Sequence, residues 1–378
     1  MSKMRAGVVG AGFIGMVHIE ALRRLGFVEV VAITEISGAK KKAEMLNIDH
    51  AFENYTEMID TMNLDTVHIC TPNNTHCEIA LYAFSKGVNV ICEKPFCCNI
   101  KDAEIMVKAA EESGLVHALN FHNRFYPVVH HLKQMIQNDD LGRIVSVHGV
   151  YLQDWLLYDT DYDWRLSPQA SGYTRAVADI GSHWLDLAEF VTNMKITEVV
   201  AEISTVHKIR KVNKKQVNTF EKPDEDQTKY TEVQIDTDDM AGLLLKFSNG
   251  ALGSVMISQL FSGKKNNVEL LVSGTKKSAS WNLESLNDLI IGNRDEPNQI
   301  LTKSPANLHN TSRILANYPA GHAEGFPDAF KQCFKQIYQY ILGTSEAHDF
   351  ADFNDGLHNM ELERKILISS QKKSWMQI

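Results

Sequence analysis

No run of eighteen apolar residues occurs in the 378-residue chain, which excludes a helix built to span a bilayer. No basic segment followed by an apolar stretch opens it, so no secretory leader is expected. Basic residues are in deficit: 38 Lys and Arg against 47 Asp and Glu leave a net charge of −9, the opposite of the concentrated positive surface a nucleic-acid partner requires. A small neutral ligand fits better. Cysteine is scarce, and Cys70, Cys77, Cys92, Cys97, Cys98 and Cys333 lie mostly in apolar segments with no paired metal spacing. Reduced thiols and a cytoplasmic protein are therefore expected. Internal repeats are absent too. What remains is a chain with 44% hydrophobic residues, longer than the roughly 250 to 300 residues at which single cores stop growing, so two domains are expected.

Across the first third, short β-branched runs at Arg5–Val9, Glu29–Ile33, Thr66–Cys70, Asn89–Cys92 and Val116–Asn120 read as strands. Helical periodicity fills the gaps at Phe13–Leu25, Gly38–Leu46 after a Ser37 cap, His76–Ser85, and Ile100–Glu112 after an Asn99 cap. Strand-helix alternation of this kind implies an α/β fold with a parallel, doubly wound sheet over residues 1–122. Beyond it, a helix at Pro127–Gln137, a strand at Ile144–Asp154 and a helix starting near Asp179 precede long strands at Glu198–Ile209, Met240–Phe247, Ala251–Ser258 and Val268–Val272. These imply an α+β domain over 123–378 with an open, predominantly antiparallel sheet. The polar stretch 208–238 reads as a ligand lid or a solvated hairpin tip, and Asp355–Ser370 as an amphipathic helix.

The most telling stretch is Gly10-Ala11-Gly12-Phe13-Ile14-Gly15, where an apolar strand breaks into three glycines and resumes as a helix. It is either an ordinary strand-to-helix turn or a pyrophosphate cradle, with Gly10 for the turn, Gly12 for backbone approach and Gly15 for close packing. Glu35 ends the second strand where a carboxylate can accept both ribose hydroxyls of an adenosine, or merely cap a helix. A carboxylate there repels a 2′-phosphate and favours NAD, while Lys40, Lys41 and Lys42 leave NADP open. Thr71-Pro72-Asn73 with His76, and Glu93-Lys94-Pro95, follow two further strands at the carboxyl edge where open α/β sheets bind ligands. Lys94 there can hold a developing alkoxide, and Pro95 suggests a fixed turn. Farther on, Asp179, His183 and Asp186 share a helical face by spacing. That face can shuttle a proton, bind a divalent metal, or be a capped helix with a satisfied histidine.

Together, Gly10-Gly12-Gly15, Glu35, Thr71-Pro72-Asn73 with His76, Glu93-Lys94-Pro95 and Asp179-x-Gly181-x-His183-x-x-Asp186 resemble the Gfo/Idh/MocA oxidoreductases over nearly the whole chain. The resemblance implies an N-terminal Rossmann dinucleotide-binding domain and a C-terminal domain whose open sheet makes a homo-oligomer, dimer or tetramer. It implies a cofactor site at Gly10, Gly12, Phe13, Ile14, Gly15, Glu35, Thr71, Pro72, Asn73, His76, Glu93 and Lys94, approached by Trp164 and Arg165. It implies that Lys94 lies near the reacting oxygen, Asp179 on a substrate hydroxyl and His183 as proton acceptor, with no metal. Asn123, Arg124, Gln153 and His322 join Lys94, Asp179 and His183 as implied contacts to a sugar, anhydrosugar or cyclitol. The chain departs from the family in two places: Ser171-Gly172-Tyr173-Thr174-Arg175 replaces a glycine run before the catalytic helix, and Asn123 stands where pyranose-oxidising members have tyrosine. Glycoside hydrolysis by transient oxidation and a non-catalytic sugar sensor are the alternatives on the same scaffold.

Overall fold

Residues that are apolar on both faces can be satisfied only between two layers of helix, and the early strands meet that demand. In the computed structural model, which describes residues 3–213 and 230–378, Met4–Val9 (β1), Val28–Thr34 (β2), His50–Phe52 (β3), Thr66–Ile69 (β4), Asn89–Cys92 (β5) and His117–Leu119 (β6) form one sheet. Its order is β3-β2-β1-β4-β5-β6 and every pairing is parallel. Helices Phe13–Leu25 (α1), Ala39–Leu46 (α2), Tyr55–Thr61 (α3), His76–Ser85 (α4) and Ile100–Ser113 (α5) make the crossovers. The Asn99 side chain accepts from the Asp102 amide at 3.0 Å and starts α5 as expected. The start of α2 differs: Gly38, in the left-handed region at φ 72°, makes the turn, and no side chain of the expected Ser37 cap is used. β3 and α3 carry too few residues for periodicity to reveal them, and Asn54 caps α3 by accepting from Thr56 N at 2.9 Å.

The second unit begins with Pro127–Gln137 (α6) and Ile144–Leu152 (β7), followed by Pro168–Ser171 (α7), a π-turn over Val177–Gly181 and Ser182–Thr192 (α8). The long strand expected at 198–209 is two: Ile196–Ser204 (β8) and Ile209–Asn213 (β9). The break has a cause, since the Val206 and His207 amides both donate to the Asp239 carboxylate, at 2.8 and 2.9 Å, and turn the chain. β9 pairs with Tyr230–Gln234 (β10) as an antiparallel ribbon, and residues 214–229, within the stretch read as a lid or hairpin tip, lie outside the described residues. Met240–Phe247 (β11), Leu252–Ser258 (β12), Asn267–Gly274 (β13), Ser278–Asn282 (β14), Asp288–Gly292 (β15) and Gln299–Thr302 (β16) follow, then Asn310–Arg313 (α9). Phe326–Ile341 (α10), Phe353–Lys372 (α11) and Met376–Gln377 (β17) end the chain. Among the described residues the large sheet runs β16-β15-β14-β13-β7-β12-β11-β8-β17, antiparallel throughout except β7 with β12.

One compact unit comprises Met1–Phe125 and Gly325–Met360, the other Tyr126–Glu324 and Glu361–Ile378. Gly325–Met360, which the 122/123 division leaves in the second domain, thus joins the first. α10 explains this: its buried stripe of Phe330, Phe334 and Tyr338 lies against α1 and β4, with Phe334 4.6 Å from the His18 ring and the Tyr338 hydroxyl 3.0 Å from His68 Nε2. Among the described residues no helix is long and apolar enough to cross a membrane, and the six cysteines are free thiols.

Candidate active site

In the first unit the glycine turn is built from three different constraints. Gly10 sits at φ 86°, where a Cβ would meet the Cys70 carbonyl oxygen at 2.8 Å. At Gly15 a Cβ would fall 2.0 Å from the Gly10 carbonyl oxygen, so only glycine lets α1 pass so close to β1. Gly12 is the opposite case, since a Cβ there would meet nothing within 4 Å. Backbone is therefore open to an incoming group at Gly12 alone of the three. Gly12 also caps α1 without a side-chain hydrogen bond, and no acidic residue occupies the first turn. The first-turn N–H groups of an α-helix have no acceptor within the helix itself, and a diphosphate is a group that such an end can receive. Phe13 stands half-exposed beside them, at 54%. Glu35 closes the constellation: its Oε2 accepts from Ala11 N at 3.0 Å, with Lys42 Nζ at 3.5 Å. The donor set and the open face at Gly12 fit a dinucleotide.

The other strand ends divide into exposed and buried parts. His76 is fully buried, its Nδ1 3.1 Å from the Phe96 carbonyl and its Nε2 2.9 Å from that of Thr71. The ring thus braces the two loops after β4 and β5. Glu93 is likewise turned inward. Its Oε1 faces His18 Nε2 at 2.8 Å and accepts from Asn120, while Oε2 accepts from Lys94 N at 3.2 Å. Burial pushes this carboxyl up, but the hydrogen bond and charge of His18, together with Lys94 and Asn120, outweigh it and hold it below the ordinary value. Glu93 therefore anchors the backbone of Lys94, whose own side chain is half-buried and whose bond to Pro95 is cis. Arg124, expected on substrate, is committed within this unit to Asp355 at 3.0 Å and the Asp349 carbonyl at 3.2 Å. Asn123 is buried, and its Nδ2 has no hydrogen-bond partner among the described residues.

In the second unit Asp179 lies on the π-turn and His183 on α8 just after it, so the spacing of four spans a junction of two helix types. The neighbouring Trp184 fixes α8: fully buried, it donates to the Glu269 carbonyl at 2.8 Å across β7. Gly149 leaves room for that indole, since a Cβ there would stand 2.4 Å from its Nε1. Asp179 Oδ2 accepts from Gln259 Nε2 at 2.8 Å, and Oδ1 lies 3.7 Å from Arg165 Nε. Arg165 also binds Asp163 at 3.1 Å and lies over the Trp164 ring at 4.5 Å. His183 is buried with its ring centroid 6.3 Å from that of Tyr151, whose phenol is pushed up by burial and then by Asp179. Gln153 is held at both ends of its amide, donating to Asn266 at 3.0 Å and accepting from Trp155 at 2.7 Å. His322 is exposed on a loop tied down by the buried Lys303, which reaches the His322 carbonyl at 2.8 Å and Glu324 at 2.5 Å. Arg175, Asp238, Asp239 and Gln259 were not legible as site residues. Gln259 follows directly on β12, and a polar residue at a strand's carboxyl end was the one signal pointing to it.

Residues 4–121 match the oxidoreductase family profile with an NAD-binding Rossmann fold, and residues 129–280 match the Gfo/Idh/MocA C-terminal domain. The chain is 26% identical over 407 residues to levoglucosan dehydrogenase of Pseudarthrobacter phenanthrenivorans, covering 100% of this chain and 99% of that one. It is 26% identical over 258 residues, 67% of each chain, to myo-inositol 2-dehydrogenase of Thermotoga maritima. A structure of levoglucosan dehydrogenase in complex with NADH and L-sorbose superposes with a TM-score of 0.89 at 25% identity, covering 100% of this chain and 99% of that one.

Proposed function

The chain belongs to the Gfo/Idh/MocA oxidoreductase family, whose first domain binds NAD, and on that premise we propose that it is an NAD-dependent dehydrogenase acting on a secondary hydroxyl of a sugar, anhydrosugar or cyclitol. The observation that carries the reading is the glycine turn, open only at Gly12 and met by Glu35 on the Ala11 amide. Full-length similarity to levoglucosan dehydrogenase supports the substrate class. When bound, NAD supplies the hydride acceptor. Glu35 would hold the adenosine ribose hydroxyls and would disfavour a 2′-phosphate, with Lys42 offsetting part of its charge.

Loss of hydride from a carbinol leaves its hydroxyl proton to be taken elsewhere. His183 accepts that proton, Asp179 holds the same hydroxyl, and the Lys94 ammonium stabilises negative charge developing on the oxygen. Asn123 and Gln153 would bind the remaining hydroxyls, and Trp164 and Arg165 are the residues that would contact the nicotinamide. Turnover is measured by NAD and NADP reduction at 340 nm over a panel containing levoglucosan, myo-inositol and glucose 6-phosphate. Lys94→Ala and His183→Ala should each remove at least about 99% of turnover, since each deletes a proton-transfer or charge-stabilising group of the reaction. NADH binding, followed by fluorescence, should persist in both. Undiminished turnover in both variants would sink the proposal.

A further inference from the structure

Where the family has a glycine run, this chain places Arg175, and the side chain is fully buried. Its Nη2 binds the Asp239 carboxylate, which also takes Arg210 at 2.9 Å, and its Nη1 donates to Gln259 Oε1 at 2.5 Å. A guanidinium can only donate, so it dictates which end of the Gln259 amide faces it. The other end, Nε2, is thereby aimed at Asp179 Oδ2, 2.8 Å away. The backbone of the same segment is gripped from the same corner: Asp238, 2% exposed, accepts from Arg175 N and from Val177 N at 2.9 Å. Asp238 and Asp239 thus hold the π-turn and the relay at once, all within the second unit.

We propose that Gln259 and Arg175 are positioning residues for Asp179, forming the relay Asp239–Arg175–Gln259–Asp179 that fixes the orientation of its carboxylate. The inference rests on reading Asp179 as the group that holds the reacting hydroxyl. No proton or electron moves in the relay; it only orients. Among the described residues, the charged and titratable groups facing Asp179 include Arg165, Arg175 and Tyr151, with His183 four residues on.

Gln259→Glu tests the relay, because the introduced carboxyl still accepts from Arg175 but has no hydrogen for Asp179 at neutral pH. We expect kcat/KM to fall at least about ten-fold at pH 8 for whichever of levoglucosan, myo-inositol or glucose 6-phosphate the parent turns over, with NADH affinity unchanged. Two carboxyls so close share a proton on acidification, which restores the bridging hydrogen, so the variant's optimum should move to lower pH than the parent's. A merely structural loss would lower activity at every pH alike. Asp179→Asn is measured alongside. If it is impaired while Gln259→Glu matches the parent in rate and pH profile, the relay is wrong and the reading of Asp179 stands. If Asp179→Asn is undiminished, the reading of Asp179 falls and takes the relay with it. Independently of turnover, Gln259→Leu and Asp179→Asn should be non-additive in a thermal-unfolding cycle of the NADH-bound protein. Strict additivity would also overturn the relay.

Discussion

Gly12 and Gly15 show how far a residue type can be read when its reason is steric. Both are glycine, yet an added methyl meets empty space at one and the Gly10 carbonyl oxygen at 2.0 Å at the other. Gly12→Ala should therefore fold with an unchanged melting temperature and bind NADH at least about ten-fold more weakly, because the methyl occupies the approach to the diphosphate. Gly15→Ala should lose about 1 to 3 kcal/mol of stability or more, since backbone must move to admit the methyl. Thermal melts and NADH titrations of the two variants check this, and an equal effect of both on either measurement would refute it. Such sites are legible in sequence because the constraint is local. Gln259 is not, as its partners Arg175 and Asp179 lie 84 and 80 residues away. No pattern near Gln259 records that the fold brings them together.

Among elements, α1, α4 and α6 match their expected bounds because an amphipathic helix writes its own period. α10 is as periodic in sequence, yet its place in the first unit follows from what it covers rather than from where it falls in the chain. It covers histidines. His18 Nδ1 meets His68 Nδ1 at 2.9 Å, and the His122 ring lies tilted against Phe330 with centroids 4.3 Å apart. Burial lowers His68, His76 and His122 below the ordinary histidine value, His122 to about 3. The unfolded chain takes up these protons as pH drops through about 6.5 while the folded chain does not. Stability is thus complete above that value and declines below it by about 1.4 kcal/mol per pH unit for each ring, until the folded value is reached. Urea unfolding at pH 7.5, 6.5 and 5.5 should show this decline, and His122→Phe should shed one ring's share of the slope. A variant with the parent's slope would exclude His122 as a contributor.

At the scale of the whole molecule, the large sheet buries one face and leaves the other bare. Register places Leu244 opposite Ser254, Ser254 opposite His148, His148 opposite Leu271, Leu271 opposite Ser280, Ser280 opposite Ile290 and Ile290 opposite Ile300. Directly paired residues share a face, so these seven form one row across seven strands. Leu244, Leu271, Ile290 and Ile300 in that row are 53%, 38%, 47% and 68% exposed, with Leu252 and Met256 beside them on the same face. Exposed aliphatic side chains gathered on one sheet face mark an interaction site, and the small serines at two rungs leave room for a second copy of the chain. We therefore expect the homo-oligomer implied by the family resemblance to form through this face. Sedimentation should find a dimer or tetramer for the parent chain. Leu244→Lys with Ile290→Lys places like charges across any two-fold pairing of the row and should give monomers that keep the parent's melting profile when extrapolated to low concentration. A monomeric parent, or a double variant that assembles as the parent does, would remove the sheet face as the site of association.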